Sequence, residues 1–258
     1  DSIPMIVFSG QARYATTVPS SGLPLRSMGV QECDIVPVIT PLTKYAVMVI
    51  RPEEIRYHLE KALYLASHGR PGPVWLDIPL DVQGAVIETE DLKAYDPAEN
   101  PEQTPPEIPD SVIREILDRI TASRRPVIFP GNGVRLAGAS AEFRRIVDVL
   151  GVPVITGMSS VDAIEWDHPY FVGRSGSTGT RPGNFALQNS DLLLSIGNRQ
   201  GFAQTGFQFQ DWARDSYTIL NDIDENELKK PSLHVSLPVC GDAGELLRQL
   251  QKAAGARG

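Results

Sequence analysis

Five short stretches carry the groups that could do chemistry: Gly131-Asn132-Gly133, Thr156-Gly157-Met158, Gly197-Asn198-Arg199, Asp222-Ile223-Asp224 and Gly241-Asp242-Ala243. Each follows a short apolar run. Glycine lets backbone N–H groups approach a phosphate, arginine can pair with it, and aspartate can accept from a ribose hydroxyl. Together they point to an extended nucleotide, although each taken singly has a plainer reading as a turn glycine or a surface ion pair. Other chemistries lack their residues. Leu136 stands where the third glycine of a G-x-G-x-x-G fingerprint belongs, and no P-loop sequence occurs, so a standard nicotinamide or ATP site is disfavoured. G-x-S-x-G and H-E-x-x-H are missing, and the four histidines, His58, His68, His168 and His234, have no partner at metal spacing, so no metal ligands are assigned.

The elements that must position these residues alternate between two periods. Strand runs at Pro4 to Phe8, at Lys44 to Ile50 and, within Arg70 to Gln83, between the Pro71-Gly72-Pro73 turn and Pro79 surround a helix from Glu53 to His68, opened by Pro52 and closed by Gly69. A short helix is expected from Gln31 to Ile39, and a loop from Ala12 to Arg26. Five prolines between Asp96 and Asp110, with acidic residues and no apolar period, read as a linker. Beyond it, helices at Ser111 to Ser123, Ser140 to Leu150 and Gly244 to Ala253, and one starting near Asn184, alternate with strands at 126–130, 152–156, 192–197, 217–221 and 234–239. The expected fold is α/β, two doubly wound parallel-sheet lobes, the second a Rossmann-like domain of six strands. The boundaries are 1–95, a linker at 96–109, and 110–258. In such a sheet ligands lie beyond the carboxyl ends of the strands, where the five stretches fall.

With 258 residues and a net charge of −8, the chain is long enough for two domains and carries no basic surface for nucleic acid. No run approaches the length of a membrane span. Cys33 and Cys240 belong to no CxxC pair and read as reduced thiols of a cytoplasmic protein. The chain opens inside a strand pattern without an initiator methionine, as a piece of a longer polypeptide would.

Several motifs resemble the thiamine-diphosphate-dependent enzymes, within them the acetolactate synthase large subunit and its relatives. Pro4-Met-Ile-Val-Phe-Ser-Gly-Gln11, Gln31-Glu-Cys-Asp34, Arg70-Pro-Gly-Pro-Val74, Asp77-Ile-Pro79 and Asp81-Val-Gln83 are similar to the latter half of that family's pyrimidine-binding domain. Gly176 to Thr180, Asn184-Phe-Ala-Leu-Gln188, Asp191 to Gly197, Asp222-Ile-Asp224 and Cys240-Gly-Asp242 are similar to its central domain. The likeness covers nearly the whole chain in order.

The resemblance implies decarboxylation of a small-molecule 2-oxo acid and transfer of the acyl carbanion to an acceptor carbonyl, in a magnesium- and thiamine-diphosphate-dependent transferase assembled as a homodimer or homotetramer. It implies that Gln11 and Gln31 line the active site or its approach. The activating glutamate and the Gly-Asp-Gly metal segment of the family have no counterpart here, so the chain alone is expected to be inactive. Val30 and Leu80 replace the phenylalanine and lysine typical of the synthases, which shifts the expectation towards a broader carboligase. The family's central domain can hold FAD in a non-redox role, and Gly131, Gly133, Thr156, Gly157, Gly176, Gly197, Arg199, Asp222, Ile223 and Asp242 match positions expected to hold it. Asn132 and Met158 lie in the same strand-end turns. Thr178 and the run Gln200 to Gln204 depart from the usual pattern, and the competing reading is an empty sheet edge in a spacer domain. The alternative from another class is a non-catalytic nucleotide-binding regulatory or structural module.

Overall fold

A computed structural model of the chain describes residues 2–101 and 104–256. Asp1, positions 102 and 103 of the expected linker, and the last two positions of the expected second lobe lie outside the described residues. The chain divides into two compact units, Asp1–Thr104 and Pro105–Gly258.

The first unit runs β1 (Met5–Gln11), α1 (Val18–Ser21), α2 (Ile35–Ile39), β2 (Tyr45–Met48), α3 (Ile55–Ser67), β3 (Pro73–Pro79) and α4 (Leu80–Gln83). Its three strands are parallel in the order β1-β3-β2. Val74 and Leu76 of the central strand bury one face against Ala62 and Ala66 of α3. β1 is less covered, with Met5 and Phe8 exposed. The helix expected from Gln31 starts only at Ile35, because Gln31 itself takes a left-handed φ of +60°. Ala12 to Arg26, expected as loop, contains the short turn α1.

The second unit runs α5 (Asp110–Ala122), β4 (Pro126–Pro130), α6 (Asn132–Leu136), α7 (Ser140–Leu150), β5 (Val154–Thr156), β6 (Phe171–Arg174), α8 (Arg181–Gln188), β7 (Leu192–Ile196), α9 (Phe202–Thr205), β8 (Tyr217–Asp222), α10 (Glu225–Leu228), β9 (Leu237–Cys240) and α11 (Ala243–Gly255). The six strands are all parallel, in the order β6-β5-β4-β7-β8-β9. Counted from β4 this is 3-2-1-4-5-6, the dinucleotide-binding order. Period-2 alternation sends Ile128, Leu192, Leu194 and Ile196 to one face and Val127, Phe129 and Leu193 to the other. Three amphipathic helices cover the first face: Ile113, Ile116, Leu117 and Ile120 of α5, Phe143, Ile146 and Val147 of α7, and Leu246, Leu247 and Leu250 of α11 are all in that core. Leu187 of α8 and Trp212 cover the second. Both faces are therefore sealed, and the parallel strands deliver their carboxyl ends to one edge.

The proline-rich segment is tied down at each end. Tyr95 is buried, its hydroxyl donates to Asn100 Oδ1, and Tyr57 donates to Glu99 at 2.5 Å. Ile108 is buried in the core of the second unit.

Candidate functional site

The carboxyl edge of the six-stranded sheet is built around its switch point, where β4 and β7 lie side by side and the strand order reverses. There the loops after the two strands touch backbone to backbone. Gly131 N–H donates to the Ile196 carbonyl at 2.8 Å and Gly133 N–H to the Gly197 carbonyl at 2.9 Å. A Cβ on Gly133 would lie 2.7 Å from Gly197 Cα, and one on Gly131 would overlap the Gly197 carbonyl. Gly197 adopts φ +56°, open to glycine at little cost. Glycine is needed at all three positions for this contact. The sequence reading offered the N–H groups of Gly131 and Gly133 to a phosphate; here both are spent on the protein itself, and these residues join the loops after β4 and β7.

What the edge does offer is a set of buried polar side chains with unused hydrogen-bonding capacity. Thr156 Oγ1 at the end of β5, Asn198 Nδ2 and Gln200 Oε1 after β7, and Asn221 Oδ1 in β8 have no partner among the described residues. All four residues are buried. Three are anchored by their other end: Gln200 Nε2 donates to Ser195 Oγ at 2.7 Å, Asn198 Oδ1 accepts from the Gln200 N–H, and Asn221 Nδ2 donates to the carbonyls of Val239 and Gly241. Gln200 is held with φ +50°. Each buried unsatisfied group costs about 1–3 kcal/mol, so native proteins carry few. Their concentration at one sheet edge is what a site for a polar ligand requires.

The other predicted residues are scattered along the same edge in varied roles. Gly157 N–H accepts no ligand role of its own, since it donates to Ser160 Oγ at 3.1 Å. Gly176 N–H is bonded to Asn184 Oδ1. Asp242 caps α11 by accepting from Glu245 N–H at 2.9 Å, and Asp222 accepts from Asp224 N–H at 3.0 Å. Arg199 is half-exposed with Nε 3.8 Å from Glu227 Oε1, Asn132 accepts from Arg135, and Met158 and Ile223 are exposed. Sequence reasoning missed Gln200, Asn221 and Asn184 as site residues. For Asn221 the signal available was a polar residue within the apolar run of β8; Gln200, in the turn beyond β7, and Asn184, in helix α8, had none.

In the first unit the parallel register sets Ser9 beside Asp77. Ser9 Oγ donates to the fully buried Asp77 carboxylate at 2.6 Å, and Trp75 Nε1 donates to Ser9 Oγ at 2.8 Å. Gln11 Nε2 donates to both Asp77 and the Cys33 carbonyl, and Gln11 Oε1 accepts from Ala12 N–H. Gln11 therefore ties β1 to the Cys33 loop, while Gln31 is exposed; the structure does not bring the two together by hydrogen bonding. Glu32, which the sequence did not single out, accepts from the N–H groups of Val18, Met28 and Gly29. The Gly29, Val18 and Met28 amides hold its carboxyl below the ordinary range. Burial, then the charges of Asp77 and Glu32, push Asp34 up. Among the described residues no three His, Cys, Asp or Glu side chains stand together as metal ligands, both cysteines are free, and no helix is long and apolar enough to cross a membrane.

Residues 113–250, more than half of the chain, match the family model described as the thiamine pyrophosphate enzyme, central domain. The chain belongs to the thiamine pyrophosphate enzyme family. Within this family it is similar to acetolactate synthase large subunits. It is 36% identical to that of Corynebacterium glutamicum over 97% of this chain and 38% of the relative. It is 33% identical to the probable large subunit of Methanocaldococcus jannaschii, over 98% of this chain and 41% of the relative. Against isozyme 3 of Escherichia coli the figures are 28%, 97% and 42%. The chain thus spans about two-fifths of the length of these relatives.

Proposed function

We propose that the chain is part of an acetolactate-synthase-type carboligase, which decarboxylates a small 2-oxo acid and passes the acyl carbanion to an acceptor carbonyl. The observation that supports this is the similarity to acetolactate synthase large subunits, which runs through both units over 97% of the chain. Thiamine diphosphate and its magnesium ion do not fit the described residues by themselves: Gln11 is committed to internal partners and no metal ligand cluster exists among them. By the same resemblance the chain alone is inactive, and homodimeric or homotetrameric assembly and a cytoplasmic location belong to the same reading. The test is carbon dioxide release from pyruvate with thiamine diphosphate and magnesium. Turnover by the isolated chain overturns its inactivity. No turnover by the full-length gene product with any of a panel of 2-oxo acids overturns the enzyme and favours the regulatory module.

The open polar groups of the second unit support a further part of the reading, a flavin nucleotide at its sheet edge. Thr156, Asn198, Gln200 and Asn221 would meet the polar atoms of FAD, Arg199 its phosphates and Asp222 a ribose hydroxyl. By family resemblance FAD would serve there without redox turnover. An absorbance spectrum of the purified chain, then titration with FAD and with its halves FMN and ADP, tests it; saturable binding of at least one is expected, and binding of none, by the chain or its Gln204 variants, would leave the edge as that of a spacer.

A further inference from the structure

One side chain sits in space that a ligand along this edge would need. A Cβ on Gly157, after β5, would overlap the carboxamide of Gln204 in α9, and a Cβ on Gly176, after β6, would lie 2.8 Å from the Ala203 carbonyl and 3.2 Å from Gln204 Oε1. Two glycines at the ends of neighbouring strands thus leave a cradle, and a residue from the loop after β7 fills it. The backbone that carries Gln204 is docked independently of this contact. Ser177 N–H donates to the Ala203 carbonyl at 3.0 Å, and the Phe202 ring lies 6.0 Å from both Phe207 and Phe209. Gln204 Oε1 is itself buried with no partner among the described residues. So the carboxamide occupies the cradle without a hydrogen bond through Oε1, and as the end of a flexible side chain it can leave while α9 stays in place.

In a sheet of this order an extended dinucleotide spans the switch point, one half over β4, β5 and β6 and the other over β7, β8 and β9. Gln204 reaches from the second side onto the first. We infer that Gln204 is the residue that sets ligand size at this edge: it obstructs the half over β5 and β6, so a mononucleotide seats over the other half unhindered, whereas a dinucleotide must first displace the carboxamide. The inference rests on the flavin-nucleotide reading above.

The experiment is calorimetric titration of the chain, and of Gln204→Ala and Gln204→Asn, with FAD and with its two halves, FMN and ADP. Both variants keep the docked backbone, and their thermal midpoints check that they fold. Removing the obstruction is expected to tighten FAD by about tenfold, the scale of one carboxamide's burial and release. One of the two halves responds similarly and the other stays within about twofold. FAD binding seen only in the variants also supports the assignment. Equal FAD affinities in all three proteins, weaker binding in the variants, or equal responses of both halves overturn it while leaving the nucleotide site intact. Absence of FAD, FMN and ADP binding in all three folded proteins overturns the nucleotide reading and this inference with it.

Discussion

The two parallel sheets present polar residues at their carboxyl edges and use them in opposite ways. At the first edge, Trp75, Ser9, Asp77 and Gln11 close upon one another, and Gln11 is bonded at both ends of its amide. At the second, Thr156, Asn198, Gln200 and Asn221 are buried, more deeply than the half-buried Ser9, Gln11 and Trp75, and each keeps an atom without a partner among the described residues. The cores differ in the same direction: the first unit has a single small cluster behind β3, while the second is sealed on both faces. A polar group that completes a network stabilises its own fold. One that stays unsatisfied weakens the fold and is tolerated where a large core offsets it.

The largest effect that would sharpen this contrast comes from the cores. Phe143 is wholly buried between α7 and the sheet, and Phe143→Ala is expected to cost about 4 kcal/mol by transfer and cavity. Phe8, exposed on β1, should change stability by less than about 0.5 kcal/mol when replaced by alanine. Urea unfolding of both variants measures the difference, and similar costs would show that β1 is better covered than its exposure says.

Next in size is Asp77. Asp77→Ala removes the acceptor of two hydrogen bonds and leaves the half-buried Ser9 hydroxyl without its acceptor, while Gln11 Nε2 keeps the Cys33 carbonyl, for an expected loss of about 1–2 kcal/mol in the first unit. Flavin titration of the second unit should be unmoved by it. Thr156→Val gives the opposite sign. Its hydroxyl is buried and unpartnered, so valine should stabilise by about 1 kcal/mol while weakening any ligand that uses the hydroxyl. A loss of stability in Thr156→Val would mean that the hydroxyl is engaged by the protein, and the contrast between the edges would fail.

Legibility in the sequence follows the range of the forces involved. α7 was read at its observed bounds because Phe143, Ile146 and Val147 fall at helical spacing and Gly151, at φ +62°, closes it; all of this information is local. β6 was not read as a strand. Phe171-Val-Gly-Arg174 has two apolar residues and a glycine at φ +149°, and only pairing with β5 makes it extended. α6 was hidden for a similar reason: Asn132 and Gly133 read as a turn, and the helix starts where Gly133 docks on Gly197, a residue remote in the chain. The glycines of the edge were visible as residue types. Their use was not, because a glycine that admits a phosphate and one that admits another backbone are the same letter. Gln200 and Gln204 carried no local signal, since their importance lies in the remote residues the fold sets them against, Ser195 for Gln200 and Gly157 for Gln204.

The smallest effect separates structure from titration at the first edge. Glu32 accepts from the N–H groups of Val18, Met28 and Gly29, which places its folded-state pKa below the ordinary value of 4.5. A depressed carboxyl contributes stability that is present above the unfolded value and is lost as pH falls through the folded one. The loop from Val18 to Glu32 should therefore stay ordered at pH 5 and open only below 4.5. Asp34, raised by burial and by Asp77 and Glu32, has the reverse sign: its contribution is present at low pH and declines as pH rises through the carboxylate range. The amide resonances of Val18, Met28 and Gly29 report the first group alone, because they bond to Glu32 directly. Their titration midpoint is expected below 4.5, and Glu32→Gln should abolish it while leaving the amides of Ser195 and Asn221 in the second unit unchanged. A midpoint at or above 4.5 would mean that Glu32 takes as much from burial as it gains from its three donors, and the first edge would then be no better satisfied than the second.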